Sequence, residues 1–398
     1  LQQYESYEII RYFDNIAPGR NGGGWVDTYG IRYIDRYAEQ LWDTMLAKAP
    51  QIMLFNWNDL VEPAKPGARE AWQNEPTSFE WQQLEARHRQ SGSNVPINFA
   101  SVAGYSLDTV DAVVGKLGNP IGIASYKPYQ STGEDFLHNY LGMIGVPIDL
   151  HPTFPTDAKL VLLTESAKFD PQIVTKIKAQ LMAGKDVVIT SGLLKALQDK
   201  GINDICELRY PGRKLSINDY WGAFGAGGFT DLGAGKNMPV LVPEIDFLTN
   251  DAWPLVSGTA NGNGAPLLLM DRYGKGILFV LTIPDNFNDL YSLPQPVLTT
   301  IRGYLLRDFP VQIDAPSQVS LFAYDNHSFV VESYRDSETT ITASVLGNGT
   351  KLRNLATGEI INGESSTHRR AFFMPNAPQR TSFTIKVEPH SFVAFAEE

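Results

Sequence analysis

The sequence predicts an α/β protein followed by an all-β region, and three observations support this fold class. Between residues 119 and 312, apolar strand-like runs alternate with segments of helical spacing, a pattern typical of a doubly wound parallel sheet. From residue 313 to 398 the runs are short and often alternating, with turn residues between them, which indicates a small antiparallel β-sandwich. Near the amino terminus, a buried-type strand over residues 52–55 ends abruptly in polar and aromatic residues.

The end of that first strand is the most informative feature of the chain. Residues 52–55 read Ile-Met-Leu-Phe and are followed at once by Asn56, Trp57, Asn58 and Asp59. In barrel enzymes, the groups that contact substrate lie at the carboxyl ends of buried parallel strands. An aromatic face beside amides and a carboxylate suits a sugar ring, which offers a C–H face and several hydroxyls. On this strand alone, a core strand with Trp57 packed as an ordinary hydrophobe is an equally good interpretation.

The preceding residues favour the sugar-binding interpretation. Residues 8–15 predict a strand that runs into a glycine-rich loop ending at Trp25, and residues 33–47 have helical spacing. The order is therefore strand, loop, helix, strand, which is one βα repeat plus the next strand. Since parallel strands need neighbours on both sides, this segment is too small to form a sheet alone. The edge of another α/β domain is the alternative.

This segment resembles the last βα unit and final strand of a clan A glycosidase barrel, most closely glycoside hydrolase family 42 and its relatives. Pro18-Gly19 is similar to the loop after the seventh strand of that family, and Phe55-x-Trp57 is similar to the aromatic motif of the eighth. The resemblance implies that residues 1–62 are the C-terminal remnant of a (β/α)8 barrel. It also implies hydrolysis of O-glycosidic bonds by two carboxylates, one of which the family carries upstream, on strand four.

By this resemblance Asp14 stands where the family has its nucleophilic glutamate. An aspartate is one methylene shorter, and retaining glycosidases place their two carboxyl groups only ~5 Å apart. The chain begins with Leu1 and no signal segment precedes it, so we expect missing upstream strands and no turnover by this chain alone. We predict Asp14 as the catalytic residue. The predicted substrate-binding residues are Arg11, Trp25, Asn56, Trp57, Asn58 and Asp59.

Composition excludes several classes of function. A net charge of −11 and a pI near 5.1 argue against nucleic acid, which demands a basic footprint. No run reaches the ~20 apolar residues of a membrane span. Since no His, Cys, Asp and Glu cluster at ligand spacing, we predict neither a metal nor a cofactor. The single cysteine, Cys206, is interpreted as a buried structural thiol. The compartment stays open between the bacterial cytoplasm, the periplasm and secretion.

Residues 63–118 are predicted to be a connector with two helices, and residues 119–312 to be the doubly wound, flavodoxin-like domain. The latter resembles the class I glutamine amidotransferase-like domain that family 42 uses for trimerisation. The motifs that carry this likeness are Asp149-Leu150, residues 159–164, residues 184–190 and Tyr273-Gly274-Lys275-Gly276. Amidotransferases need an activated cysteine, but this chain has Thr164-Glu165-Ser166-Ala167 at that turn. The resemblance therefore implies a homo-oligomerisation role, with a trimer as the expected state.

Two glycine-rich segments of the α/β region and two alternative functions complete the predictions. The glycine-rich residues 222–229 and 233–236 do not match a phosphate-binding loop and are interpreted as a mobile surface insertion. A non-catalytic carbohydrate-binding or oligomerisation scaffold competes with the glycoside hydrolase. A small-molecule hydrolase or transferase that uses the α/β domain is a third, weaker candidate.

Overall fold

The computed structural model describes residues 2–28, 33–64, 77–225, 228–235, 239–248, 250–260, 263–366 and 378–398. The amino-terminal unit contains seven elements within these residues. In chain order they are α1 (Glu5–Ile16), β1 (Gly24–Asp27), α2 (Ile34–Leu46), β2 (Ile52–Phe55), α3 (Trp57–Leu60), α4 (Trp81–Gln90) and α5 (Phe99–Val114).

The predicted strand over residues 8–15 is wrong, because α1 covers this segment as a helix. Tyr4, Tyr7 and Ile10 recur every three residues and are all buried, which is a helical spacing rather than a strand alternation. The rings of Tyr4 and Tyr7 pack on Phe322, with centroids 5.5 and 4.8 Å away. The helix is therefore fixed by a contact with a residue far along the chain.

The strand of the predicted βα repeat lies instead in the segment that was interpreted as a loop. Here β1 pairs with β2 in parallel, with Gly24 beside Ile52 and Asp27 beside Phe55. The predicted helix over residues 33–47 is confirmed as α2, and the strand over residues 52–55 is confirmed as β2. Gly24 allows α2 to approach closely, because a Cβ at this position would lie 2.4 Å from Cγ2 of Thr44.

The α/β region is built on a mixed sheet of nine strands. In chain order its elements and those beside it are β3 (Pro120–Ile121), β4 (Ile123–Tyr126), α6 (Leu137–Met143), β5 (Ile148–His151), β6 (Leu160–Leu163), α7 (Ile173–Met182), β7 (Asp186–Thr190), α8 (Ser191–Leu197), β8 (Lys214–Ile217), β9 (Asp219–Gly225), β10 (Gly228–Ala234), β11 (Val240–Pro243), β12 (Ala252–Ala260), β13 (Asn263–Tyr273), β14 (Gly276–Leu281) and α9 (Gln295–Leu305). The order across the sheet is β10-β9-β12-β13-β14-β7-β6-β4-β5.

Only one half of this sheet follows the predicted parallel pattern. The strands from β14 to β5 are mutually parallel, whereas β13, β12, β9 and β10 extend the sheet through antiparallel hairpins. The segments interpreted as a surface insertion, residues 222–229 and 233–236, overlap the last two of these strands, β9 and β10. The parallel strands read as continuous apolar runs and are buried on both faces, which is why sequence pattern detected them. The glycine-rich hairpin carries no such signal.

The carboxyl-terminal region forms two antiparallel sheets over one core. Its strands are β15 (Val311–Asp314), β16 (Val319–Tyr324), β17 (Ser328–Ser333), β18 (Thr339–Leu346), β19 (Lys351–Asn354), β20 (Ile360–Asn362), β21 (Glu364–Ser366), β22 (Arg380–Val387) and β23 (Ser391–Glu397). The sheet orders are β15-β18-β22-β21 and β20-β19-β23-β17-β16-β3. Buried residues of both sheets, such as Ile341 and Leu321, belong to one cluster. The predicted strand at residues 371–373 lies outside the described residues.

Helix α2 joins the amino-terminal unit to this β domain. Trp42 is fully buried, with its ring 5.2 Å from that of Phe392 and its Nε1 donating to the Ser106 carbonyl at 3.0 Å. The Tyr324 hydroxyl donates to the carbonyl of Leu46 at the end of α2, at 2.9 Å. These contacts hold α2, and with it β1 and β2, on a fixed surface of the β domain.

Candidate functional site

The carboxyl ends of β1 and β2 meet at one edge of a two-stranded parallel sheet, and aromatic residues cover its open face. Trp25, Met53 and Phe55 are 59%, 57% and 41% exposed, whereas Val26, which points to α2, is buried. The rings of Trp25 and Phe55 lie 5.0 Å apart at 45°. Large apolar side chains exposed together in this way mark a binding or packing surface rather than an ordinary solvent face.

A polar network follows directly after the two strands. The Asn56 side chain accepts from the Asp59 backbone N–H at 3.2 Å, and its amide donates to Oδ2 of Asp59 at 2.8 Å. Thr28, just after β1, donates to the same Asp59 oxygen at 3.2 Å. Asn56 is thus the N-cap of the short helix α3, and the Asp59 carboxylate ties that helix to the end of β1.

Trp57 and Asn58 lie on the solvent side of this network. Trp57 is 75% exposed, so the alternative interpretation of an ordinary packed hydrophobe is wrong for this residue. Asn58 is also exposed. An exposed indole held on a capped turn, beside the aromatic face formed by Trp25 and Phe55, provides a platform for an apolar ring face.

The structure places Arg11 and Asp14 in a different setting from the one predicted. Both lie on α1, where Nη1 of Arg11 and Oδ2 of Asp14 are 3.1 Å apart, and Nη2 of Arg11 lies 3.3 Å from Oδ1 of Asp149 on β5. Asn15 donates to the same Asp149 oxygen at 2.9 Å. Because residues 8–15 are helical, the strand-end position that suggested Asp14 as a nucleophile does not exist.

Asp27 is the carboxylate that the structure places at the carboxyl end of a site strand. It is the last residue of β1, shares the open face of the sheet with Trp25, and pairs in register with Phe55. The sequence signal was weak, because β1 has only four residues, begins with Gly24 and follows two more glycines. A cleft of about 920 Å³ borders this strand. Its lining includes Gln3, Ser6, Trp25, Asp27, Arg36 and Tyr291.

The side chains at the amidotransferase-like turn and the cysteine thiol are buried. Thr164 and Ser166, at the turn where amidotransferases carry cysteine, are buried and hydrogen-bonded to each other at 2.9 Å. Cys206 is buried, as predicted, and burial raises the pKa of its thiol to about 12.

In the described parts of the chain, no three His, Cys, Asp or Glu side chains are arranged to hold a metal ion. None of the helices described there is long and apolar enough to cross a bilayer.

Three family models match separate parts of the chain. Residues 1–116 match the catalytic domain of probable glycosyl hydrolases, and residues 310–397 match the C-terminal domain of the same group. Residues 118–286 match the second domain of the uncharacterized protein SSO3021. No match was found among curated protein sequences.

Solved structures of family 42 β-galactosidases are similar to this chain. A catalytic mutant of Gan42B from G. stearothermophilus has a TM-score of 0.52 at 10% identity, over 100% of this chain and 57% of that one. Gan42B itself has a TM-score of 0.51 at 10% identity, with the same coverage. The β-galactosidase from Bacillus circulans sp. alkalophilus has a TM-score of 0.49 at 13% identity, over 90% of this chain and 52% of that one.

The chain spans a little over half the length of these β-galactosidases. At 10% identity, the likeness to Gan42B concerns the fold, and the family models add the glycosyl hydrolase domains at either end. The predicted resemblance to family 42 is confirmed. The chain is therefore similar to glycoside hydrolases at the family level, with the fold of the family 42 β-galactosidases.

Proposed function

We propose that this chain is the carboxyl-terminal portion of a glycoside hydrolase that cleaves O-glycosidic bonds with two carboxylates. The observation that carries the proposal is the open aromatic face of β1 and β2, which ends at Asp27 and at the Asn56–Asp59 network. The family matches support a carbohydrate substrate, and the acidic composition argues against nucleic acid. Residues 1–62, 63–118, 119–312 and 313–398 are the proposed barrel portion, connector, amidotransferase-like domain and β-sandwich.

The exposed face supports the barrel part of this proposal. Parallel sheets occur almost only with both faces covered, yet one face of β1 and β2 exposes Trp25, Met53 and Phe55. In a (β/α)8 barrel this face would point to the interior, and α2 would lie outside. Further barrel strands would then cover Met53, deeper in the barrel, and leave the carboxyl-end residues facing substrate.

We propose Asp27 rather than Asp14 as the nucleophile of the complete enzyme. A carboxylate at the end of a barrel strand faces the interior, where it can attack the anomeric carbon and form a covalent glycosyl intermediate. The second carboxyl group, on another strand, would protonate the leaving oxygen and then activate water. Trp25 and Trp57 would pack on the sugar, while Asn56, Asn58 and Asp59 would shape the subsite. Arg11 instead connects α1 to Asp149 of β5, and Asp14 pairs with Arg11 on α1.

The test is Asp27→Asn in the protein that includes the remaining barrel strands. We expect hydrolysis of aryl glycosides to fall by at least ~10²-fold with the melting temperature unchanged. Asp14→Asn is the matched control and should keep most of the activity. Azide rescue of Asp27→Ala through a glycosyl azide product would identify the nucleophile directly. Full activity of Asp27→Asn would move this role to another residue.

The scaffold alternative rests on a different part of the chain. We propose that residues 119–312 mediate self-association, because the turn at Thr164 and Ser166 is closed to catalysis and β10 lies at the edge of the nine-stranded sheet. Light scattering should give a mass of three times 44.1 kDa. A monomer with no hydrolytic activity in the complete protein would contradict both this role and the enzymatic one.

A further inference from the structure

Helix α2 buries acidic residues on successive turns. Asp35, Glu39 and Asp43 are 2%, 0% and 0% exposed, and their spacing of four residues places them on one side of the helix. Glu39 and Asp43 meet polar groups of the β domain. Carboxylates are almost never fully buried without a partner. The electrostatics of this interface therefore depend on which donors or cations contact each carboxylate.

Both carboxylate oxygens of Glu39 have partners that compensate its negative charge. Its Oε2 accepts from Gln3 and from Arg36, each at 3.1 Å, and its Oε1 meets Nδ1 of His390. The other ring nitrogen of His390 lies 2.8 Å from Oδ1 of the exposed Asp336. Burial alone would raise the pKa of Glu39, but the hydrogen bond from His390 and the charge of Arg36 bring it below the usual value.

Asp43 meets an acid instead of a cation. The hydroxyl of Tyr334 donates to its Oδ1 at 2.9 Å, and its carboxyl group adjoins that of Glu332, two residues before Tyr334. Oδ2 of Asp43 is buried without a donor among the described residues. Glu332 is 0% exposed, and within the described residues neither of its oxygens receives an N–H or O–H donor in the ionised state. A hydrogen bond between two carboxyl groups requires a proton on one of them.

We propose that Asp43 and Glu332 share one proton at neutral pH, and that this proton closes the interface between α2 and the β domain. With both groups ionised, two like charges would adjoin in a buried site without a cation. With one proton, the pair has a single negative charge stabilised by Tyr334. The titratable and charged groups around the pair are Glu39, Arg36, Tyr4, Tyr7, Tyr324, Tyr334 and His390.

The electrostatics of the pair agree with this geometry. Burial raises the pKa of Asp43, even though the hydrogen bonds from Glu332 and Tyr334 act to lower it. Burial, and then the charge of Asp43, also raise the pKa of Glu332. The neighbouring Tyr4, Tyr324 and Tyr334 have pKa values raised by burial, so they stay neutral. Tyr334 donates to Asp43 and Tyr324 to the Leu46 carbonyl, whereas Tyr4 accepts from the Ile148 N–H.

The direction of the pH effect follows from proton counting. Unfolded Asp and Glu lose their protons near pH 4, whereas burial raises the pKa of both groups, so the folded pair still holds a proton at about pH 8. Unfolding between these values therefore releases one proton, and the unfolding constant rises about tenfold per pH unit from this pair. Loss of this proton would leave two carboxylates together in the buried interface and would loosen it. Because α2 connects β1 to β2, that loosening would reach the aromatic site.

The experiment measures urea unfolding of the 398-residue chain from pH 5.5 to 9. Glu332→Gln supplies an amide donor to Asp43, and Asp43→Asn supplies one to Glu332, so each reproduces the proposed hydrogen bond without a titrating proton. Each variant should reduce the slope of the unfolding constant against pH by one proton relative to the parent. The double variant should remove no more, since the proton is shared. Glu338→Gln, at an exposed salt bridge with Lys386, is the control and should keep the parental slope.

Several outcomes would overturn the proposal. An unchanged slope in both single variants would show that the pair holds no proton, and a loss of two protons in the double variant would show two independent acids. Failure of either variant to fold would also contradict it, because the amide replaces the hydrogen bond. Hydrogen exchange gives a local check: α2 amides of the parent should exchange faster as the pH rises from 5.5 to 9, after correction for the intrinsic rate, and those of Glu332→Gln should not.

Discussion

Thr28 donates a 3.2 Å hydrogen bond to Oδ2 of Asp59, which connects the residue after β1 to the helix after β2. The same oxygen accepts from Asn56 at 2.8 Å. Two strand ends that are separate in sequence therefore share one carboxylate. The position of Trp57, on the first turn of α3, depends on this carboxylate, so the aromatic platform is held by polar contacts rather than by burial.

Asn56→Ala should destabilise the chain by about 1 kcal/mol or more. The change removes the N-cap acceptor of α3, which is typically worth about that much, and the donor to Asp59. Urea unfolding monitored by tryptophan fluorescence measures the effect. Asn56→Asp keeps the cap acceptor but places two carboxylates together, so its stability should fall between those of Asn56→Ala and the parent.

Trp57→Ala should change stability by less than about 0.5 kcal/mol, because an exposed side chain with few contacts contributes little to folding. Sugar binding in the complete protein should nevertheless weaken. Trp42→Ala is the matched control: this side chain is fully buried, and its loss should cost about 3–5 kcal/mol. A large loss of stability in Trp57→Ala would show that its ring packs on protein rather than on a ligand.

Glu134→Ala should be among the most destabilising single changes in the α/β region. Oε2 of Glu134 accepts from the Glu165 backbone N–H at 2.8 Å and from the Thr190 hydroxyl. Removal leaves buried donors without an acceptor, at about 1–3 kcal/mol each. Thermal unfolding at pH 8 checks this. Glu134→Gln keeps one acceptor oxygen and should recover part of the loss; equal losses in both variants would assign the effect to packing.

Glu134 should also make the stability of the folded chain depend on pH. Burial raises the pKa of Glu134 to about 7, despite the hydrogen bonds from Thr190 and Glu165 that act to lower it. The folded state therefore holds a proton that the unfolded chain has lost above about pH 4.3. Stability from this group is complete below that value and decreases as the pH rises to about 7. The melting temperature of Glu134→Gln should consequently depend less on pH between 5 and 7 than that of the parent.

Cys206 should resist alkylation in the folded chain. It is 2% exposed, and a thiol with a raised pKa carries almost no thiolate at pH 8. Iodoacetamide followed by mass spectrometry should give less than one tenth of the modification found in urea. Rapid labelling of the native chain would show that the loop around Cys206 opens locally. Cys206→Ser should retain the fold with a modest loss of stability, because a hydroxyl replaces a buried, weakly polar group.

The sequence by itself determined the elements whose signal is local. β6 and β7 read as continuous apolar runs because both faces of a parallel sheet are covered, and α2 shows its buried positions at helical spacing. The strand β2 and its polar and aromatic end could also be predicted from the sequence, since Asn56 and Asp59 interact within three residues of each other. Resemblance to family 42 followed from such short motifs.

Only the tertiary structure decided the features that depend on distant partners. Helix α1 has Tyr4 and Tyr7 packed on Phe322, a partner that lies far along the chain. The strand interpretation of residues 8–15 failed because it left out the helical spacing of Tyr4, Tyr7 and Ile10, which only this packing makes meaningful. β1 has four residues and becomes a strand by pairing with β2, so Asp27 rather than Asp14 ends a site strand. The hydrogen bond from Tyr334 to Asp43 crosses 291 residues. Burial and charge pairing at that distance are properties of the folded chain, because desolvation arises only when the domains meet.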